Sequence, residues 1–137
     1  MPALDDVRVL DLTQVLAGPY CTMLLSDLGA DVVKIERPGG DLIRPNPPFV
    51  GDDDAYGGYF QSVNRGKRSL ELDLQAEGDR EDFLRLVDDA DVVVENFRAG
   101  TMEKFDLEYE RLRERNPEIV YASIRGFGDP RTGETDR

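Results

Sequence analysis

The chain has 137 residues, of which 39% are hydrophobic and 34% charged, and its 29 acidic against 17 basic residues give a formal net charge of -12. Nucleic acid is excluded as an expected partner, because a surface of this sign repels a polyanion. Cys21 is the only cysteine and histidine is absent, so the sequence offers no internal disulfide, no imidazole base and no Cys or His cluster for a zinc site.

The chain opens on a predicted strand, helix and strand. Residues 7–12 and 31–35 are apolar runs rich in branched side chains, which is typical of strands covered on both faces. Pro19 suits the first turn of a helix and Gly29 suits the position after its end, so a helix is predicted over residues 19–28. The apolar spacing in this helix predicts one buried face. That face consists of Cys21, Leu24, Leu25 and Leu28.

The middle of the chain continues this alternation. Residues 38–54 are rich in Pro, Gly and Asp and predict an exposed loop. Residues 69–74 alternate apolar and polar side chains, as a half-exposed strand does. Residues 78–89 carry an apolar stripe behind an acidic first turn and predict a second helix, which leads directly into a buried strand over residues 91–94.

The last predicted elements are short. Residues 101–116 indicate one or two short helices that end before Pro117, and residues 119–123 indicate another buried strand. Residues 126–137 contain turn residues without an apolar anchor, and we expect them to fray. Strands alternating with helices over residues 1–125 predict an α/β fold with a doubly wound, mainly parallel sheet.

The turn after the first strand argues against a dinucleotide site. Such a site needs several glycines there, so that the backbone can approach a pyrophosphate, whereas residues 11–19 contain only Gly18. Val15, Leu16 and Ala17 instead form a small apolar turn. This turn could lie against an adenine ring or a pantetheine arm, or it could simply connect strand and helix, and both interpretations stay open.

Several segments in order resemble family III CoA-transferases, the group that includes formyl-CoA and carnitine CoA-transferases. They are Val9 to Arg37 with its Ala-Gly-Pro turn, Asn64 to Leu74, Ala90 to Arg98, Asn116-Pro117, and Ala122-Ser123 with Gly126-Phe127-Gly128. The resemblance covers nearly the whole chain. It implies that residues 1–125 are a Rossmann-like CoA-binding portion, the incomplete N-terminal part of a larger domain, in an enzyme that forms an interlocked homodimer.

The activity implied by this resemblance is CoA transfer. An aspartate attacks an acyl-CoA thioester, an aspartyl intermediate carries the reaction, and CoA passes to a carboxylic acid acceptor. The nucleophilic aspartate is expected beyond Arg137, so no catalytic residue is assigned within the chain, and no metal is implied. Asp129 and Asp136 lie in the expected tail and lack the family's surrounding small residues.

The resemblance also implies a set of CoA contacts. They are Val15, Leu16, Ala17, Arg37, Leu72, Gln75, Asn96, Phe97, Arg98 and Lys104. Within this set Arg37 and Lys104 meet phosphate or adenine groups, and the residues after the fourth strand border the pantetheine and thioester. Two positions depart from the family. Leu16 stands where formyl-CoA enzymes have glutamine, and Gln75 replaces a lysine.

The sequence also bears on where the protein is found. No run reaches the ~20 apolar residues of a membrane span, and the first residues lack the pattern of a signal peptide, so we expect a cytoplasmic protein without membrane contact. The fourteen arginines against three lysines, with excess Asp, are typical of a halophilic surface, although the composition of an acidic mesophilic protein fits equally well.

Two alternative functions stay open. One is a non-catalytic remnant that binds CoA or a partner chain, and the other is an unrelated nucleotide-binding domain.

Overall fold

One parallel five-stranded sheet organises the chain. A computed structural model describes residues 1–49, 51 and 57–128. The strands are β1 (Arg8–Asp11), β2 (Asp31–Glu36), β3 (Arg68–Glu71), β4 (Val92–Glu95) and β5 (Val120–Ser123). The helices are α1 (Ala17–Asp27), α2 (Gly58–Asn64), α3 (Glu77–Asp88), α4 (Thr101–Lys104) and α5 (Tyr109–Arg115).

The strand order is β3-β2-β1-β4-β5, and every neighbouring pair is parallel. Strand β1 is central, since Val9 lies opposite Val32 on one side and Val92 on the other. The chain winds from β1 to one edge, then returns and winds to the other edge. The predicted doubly wound parallel α/β sheet is confirmed, and the winding reverses between β1 and β4.

The larger core lies on the face of the sheet that α3 covers. Phe83 and Val87 of α3 are fully buried against Leu10 and Val93 of the central strands. The opposite face buries a smaller cluster made of Val9, Ala30, Val32 and Val94. Adjacent strand residues thus point to opposite cores, which explains why the strands read as continuous apolar runs.

Helix α1 buries a different face from the one predicted. Cys21, Leu24 and Leu28 are exposed and Leu25 is half-buried, so the prediction of a buried leucine face was wrong. The buried residues of α1 are Gly18, Pro19, Thr22 and Met23. Gly18 lets the helix approach the end of β1, because a Cβ there would lie 2.3 Å from the Cβ of Thr13. The close approach of α1 to β1 at Gly18 therefore determines which face of the helix is buried.

The predicted loop over residues 38–54 is only partly exposed. Asp41 and Ile43 are buried, and Ile43 packs with Phe60 and Val63 of α2. Helix α2 was not predicted, because its seven residues are too few to establish a helical period. Residues 50 and 52–54 of this loop lie outside the described residues.

The last strand, β5, was predicted to be buried but is exposed at Val120 and half-buried over its other residues, so that prediction was wrong. The remaining elements differ from prediction mainly at their ends. The predicted strand over residues 69–74 is the exposed edge strand β3, and Leu72 and Leu74 are buried beyond its end. Helices α4 and α5 confirm the two short helices. Residues 129–137 of the predicted tail lie outside the described residues. Across the described part of the chain, no helix has the length and apolar character needed to cross a membrane.

Candidate functional site

A cleft opens at the carboxyl end of the sheet between the turns that follow β1 and β4. Its volume is about 450 Å³, within the range of roughly 300–1,000 Å³ that is usual for small-molecule sites. The lining residues are Gln14, Val15, Leu16, Ala17, Asn96, Phe97, Arg98 and Thr101. Because the winding reverses between β1 and β4, the cleft lies at the topological switch point, where open parallel sheets bind ligands.

The two turns that form the cleft are joined by two hydrogen bonds. The Gln14 backbone N–H donates to Asn96 Oδ1, and Asn96 Nδ2 donates to the Gln14 carbonyl, each over 2.8 Å. The next residue, Val15, has a φ of 69°, which is a strained conformation for a β-branched side chain. The Asn96 amide therefore holds the turn that presents Val15 to the cleft.

The lining of the cleft suits a ligand with both apolar and anionic parts. In a chain of net charge -12, none of the eight described lining residues is acidic, and Arg98 adds a positive charge. No side chain caps the N-terminus of α1, and its first turn contains no acidic residue. The positive end of this helix dipole adjoins the apolar side chains of Val15 and Leu16.

Three strands of the sheet end in a buried carboxylate, and each of these carboxylates is paired with a cation within the fold. They terminate β1, β2 and β4 as Asp11, Glu36 and Glu95. Their cationic partners are Lys67 at 2.9 Å, Arg44 at 2.5 Å and Arg125 at 2.9 Å, respectively. The pairing leaves little net negative charge at the edge where a phosphate would approach.

Asp11 connects β1 to α1 directly and to α2 through Lys67. Its Oδ2 accepts hydrogen bonds from Thr22 of α1 at 2.6 Å and from Lys67 Nζ at 2.9 Å. Lys67 Nζ also donates to the Pro19 carbonyl at 2.9 Å and to Asn64 Oδ1 at 2.8 Å. Burial lowers the pKa of Lys67, and the nearby Asp11 carboxylate opposes this shift. The network fixes the first turn of α1 beside the cleft.

Glu36 is held by a comparable set of donors. Burial by itself raises the pKa of Glu36, but hydrogen bonds from Arg44, Ser69 and the Asp41 N–H outweigh it and lower the pKa from 4.5 to about 2. Asp41 in turn forms an ion pair with buried Lys34 at 3.0 Å. The residue after Glu36, Arg37, is thereby placed beside the cleft on a rigid strand end.

The structure brings six of the ten predicted contact residues together in the cleft. The four others lie elsewhere on the same end of the sheet or beyond it. Arg37 is exposed in a small depression whose lining it shares with Gln14, so that depression adjoins the cleft. Lys104 is exposed on α4, three residues beyond Thr101. Leu72 is buried in the larger core and Gln75 is exposed after β3.

Two lining residues, Gln14 and Thr101, were not predicted from the sequence. Gln14 directly precedes the predicted turn, so the position of the turn was a usable signal. Thr101 comes close only because α4 begins beneath the β4 turn, which no local pattern predicts. The cations Arg44, Lys67 and Arg125 were also missed as partners, although a buried strand-end carboxylate requires a partner of some kind.

Comparisons with known proteins show the family of the chain. The model of the CoA-transferase family III matches residues 4–136. A succinyl-CoA:mesaconate CoA-transferase from Haloarcula hispanica is 80% identical over 139 aligned residues, which are 100% of this chain and 35% of that protein. An acetyl-CoA:oxalate CoA-transferase from Acetobacter aceti is 51% identical over 90% of this chain and 31% of its own length.

A solved structure shares the fold. The crystal structure of a CAIB/BAIF family protein from Brucella suis superposes with a TM-score of 0.87 at 46% identity, over 93% of this chain and 34% of that one. The chain thus spans about a third of the length of the curated relatives it matches. On the residues that the family model matches, the chain belongs to CoA-transferase family III.

Proposed function

We propose that this chain supplies the CoA-binding N-terminal part of an enzyme that transfers CoA between an acyl-CoA thioester and a carboxylic acid. The observation that carries the proposal is the cleft at the switch point, which joins an apolar turn, an uncapped helix N-terminus and Arg98 without any acidic lining residue. CoA combines a pantetheine arm with phosphates, and these features match the apolar and positive parts of the cleft.

The proposed substrates are short dicarboxylates and their CoA thioesters. Two proteins named succinyl-CoA:mesaconate CoA-transferase, from Haloarcula hispanica and Haloarcula marismortui, are 80% and 79% identical to this chain over its whole length. Relatives near 50% identity have other substrates in their names. The higher identity favours succinyl-CoA as donor and an unsaturated dicarboxylate such as mesaconate as acceptor.

In the proposed mechanism, this chain binds and orients the thioester. Val15, Leu16 and Phe97 would pack along the pantetheine arm, while Arg37 and Arg98 would contact phosphate or carboxylate groups. The nucleophilic aspartate would come from sequence beyond Arg137. It would attack the thioester carbonyl, releasing the CoA thiolate and forming a mixed anhydride. The thiolate would attack the aspartyl carbonyl of this anhydride, which releases the donor acid and leaves an enzyme-CoA thioester. The acceptor carboxylate would attack that thioester to form a second anhydride, and the released CoA thiolate would attack its acceptor carbonyl, giving the new acyl-CoA and regenerating the aspartate.

The first experiment is calorimetric titration of CoA and of NAD into the purified chain, after its cooperative unfolding has been verified. Molar KCl is used because it shortens the Debye length to ~3 Å and screens the general repulsion between phosphates and a chain of charge -12. We expect CoA to bind and NAD to bind much more weakly. Binding of NAD without CoA would overturn the proposal.

The second experiment measures the activity of the whole protein. The intact mass of the endogenous protein shows whether this sequence belongs to a polypeptide much heavier than 15.4 kDa. That polypeptide is then assayed for transfer of CoA from succinyl-CoA to mesaconate, and its oligomeric state tests the expected homodimer. A native mass of 15.4 kDa without transfer would support the alternative, a non-catalytic CoA-binding remnant.

A further inference from the structure

Phe97 forms one wall of the cleft. Both its backbone and its ring are held in place by other residues. Its N–H donates to Glu95 Oε2 at 2.8 Å, and its carbonyl accepts from Arg125 Nη1 at 2.5 Å. The ring packs edge-on against Phe105, with 6.2 Å between ring centroids. The backbone N–H and C=O of Phe97 are thus both bound by charged side chains.

The two charged side chains also bind each other. Glu95 is fully buried, and its Oε1 accepts from Arg125 Nη2 at 2.9 Å and from Ser123 Oγ at 2.6 Å. Arg125 Nε donates to Ser123 Oγ at 2.8 Å, so three nitrogens of the guanidinium group each have a different acceptor. The side chain of Arg125 is 11% exposed. It lies outside the lining of the cleft.

Building on the proposed function, we infer that Arg125 is a positioning residue for CoA binding, which acts by holding Phe97 in the wall of the cleft. Arg125 follows β5, whereas Phe97 follows β4, so the pair joins two turns at the carboxyl end of the sheet. A planar guanidinium can bind the Glu95 carboxylate and the Phe97 carbonyl together. A lysine ammonium keeps the charge but does not reproduce this fork.

The variant Arg125→Lys tests the inference, and Arg85→Lys is the matched control, because the side chain of Arg85 is 72% exposed on α3. We expect R125K to weaken CoA binding about tenfold, as the loss of one charge-assisted hydrogen bond implies. The ¹⁵N and ¹H shifts of the Phe97 amide should move as well. R85K should change neither quantity.

A double-mutant cycle with Phe97→Ala separates positioning from general destabilisation. If Arg125 acts through Phe97, R125K should have little further effect on CoA affinity when the ring is already absent. If R125K does not fold, Ser123→Ala serves instead, because it removes one acceptor of Arg125 while retaining the guanidinium, and the same coupling to Phe97 is expected at smaller size.

The outcomes are distinguishable. Wild-type chain that fails to bind CoA would overturn the proposed function and this inference with it. Wild-type binding together with unchanged affinity in R125K, despite a shifted Phe97 amide, would overturn only the positioning role. An equal loss of affinity for R125K in the presence and absence of the Phe97 ring would also overturn it.

Discussion

The Asn96 side chain and the Gln14 backbone exchange two hydrogen bonds of 2.8 Å, although 82 residues separate them along the chain. Family resemblance implies that Asn96 contacts CoA, but both polar atoms of its side-chain amide already bind Gln14. The amide thus holds the β1 turn, and any contact with a ligand would be additional to that role.

Asn96→Ala should therefore weaken both the fold and the cleft. Loss of the two hydrogen bonds leaves the Gln14 peptide groups without their partner, and we expect the free energy of unfolding to fall by about 1–3 kcal/mol. CoA affinity should fall too, because the Val15 turn is no longer held. Urea unfolding and calorimetric titration measure the two effects, with exposed Asn46→Ala as control. Unchanged stability in N96A would contradict this account.

Val15→Gly should stabilise the chain, against the usual effect of glycine. The left-handed φ of 69° costs a β-branched residue about 1–3 kcal/mol, more than the ~0.5–1 kcal/mol that glycine's flexibility costs. Val120→Gly is the matched control, since Val120 is exposed in an extended strand and its replacement should destabilise. Thermal unfolding gives the melting temperatures of both variants and of the wild type. A lower melting temperature for V15G would refute strain at Val15.

Gly18→Ala should destabilise the junction of β1 and α1. The added Cβ would lie 2.3 Å from the Cβ of Thr13, so the helix must move, at a cost of about 1–3 kcal/mol. Gly78→Ala is the control, because nothing lies within 4 Å of a Cβ there and alanine favours the helix. Chemical unfolding should therefore give opposite signs for the two variants, and equal signs would count against close packing at Gly18.

We expect Asp11 and Lys67 to contribute to stability as a unit, with a large coupling energy in the free energy of unfolding. Lys67→Met should cost about 3–5 kcal/mol, because it leaves the Asp11 carboxylate buried without its cation. The double variant Asp11→Asn with Lys67→Met should recover part of this loss. Urea unfolding of the single and double variants gives the coupling energy, and strict additivity would show that the pair does not act as a unit.

The lowered pKa of Glu36 predicts that the fold loses stability in acid. Its pKa in the fold is about 2 and its ordinary value is 4.5, so the unfolded chain binds the proton first as the pH falls. The stabilisation is complete above about pH 5 and is lost towards pH 2, and it amounts to roughly 3 kcal/mol.

Glu36→Gln should be less stable than wild type at pH 7 and should lose less stability between pH 5 and 2. Urea unfolding across this range in molar KCl measures both slopes. Asp88→Asn is the control, because Asp88 pairs with Arg115 on the surface, where salt screens the pair. Parallel pH profiles for wild type and E36Q would show that Glu36 is not the responsible group.

Much of the fold was predictable because the signals are local. The branched apolar runs of β1, β2, β4 and β5 and the amphipathic stripe of α3 each need only a few consecutive residues to be recognised. Their alternation then restricts the fold to a parallel α/β sheet. The six cleft residues were implied by the family resemblance, and they lie in or beside the turns that follow two strands, whose ends meet at one edge of any such sheet.

Pairings between distant residues could not be predicted in the same way. The apolar spacing of α1 indicated Leu24 and Leu28 as core, but the approach of Gly18 to Thr13 turned the other face inward. Nothing local showed which cation would meet Asp11, and the answer, Lys67, lies 56 residues away.

By itself, the sequence determined the class of fold and the positions of the main strands, because periodicity and turn chemistry act within a few residues. The family was indicated by the resemblance of several motifs in order. Only the tertiary structure decided how the β1 turn is held, which partners neutralise the buried carboxylates and where the cleft opens. Those features depend on the strand order, which places Gln14 beside Asn96 and Asp11 beside Lys67 only after the sheet has formed.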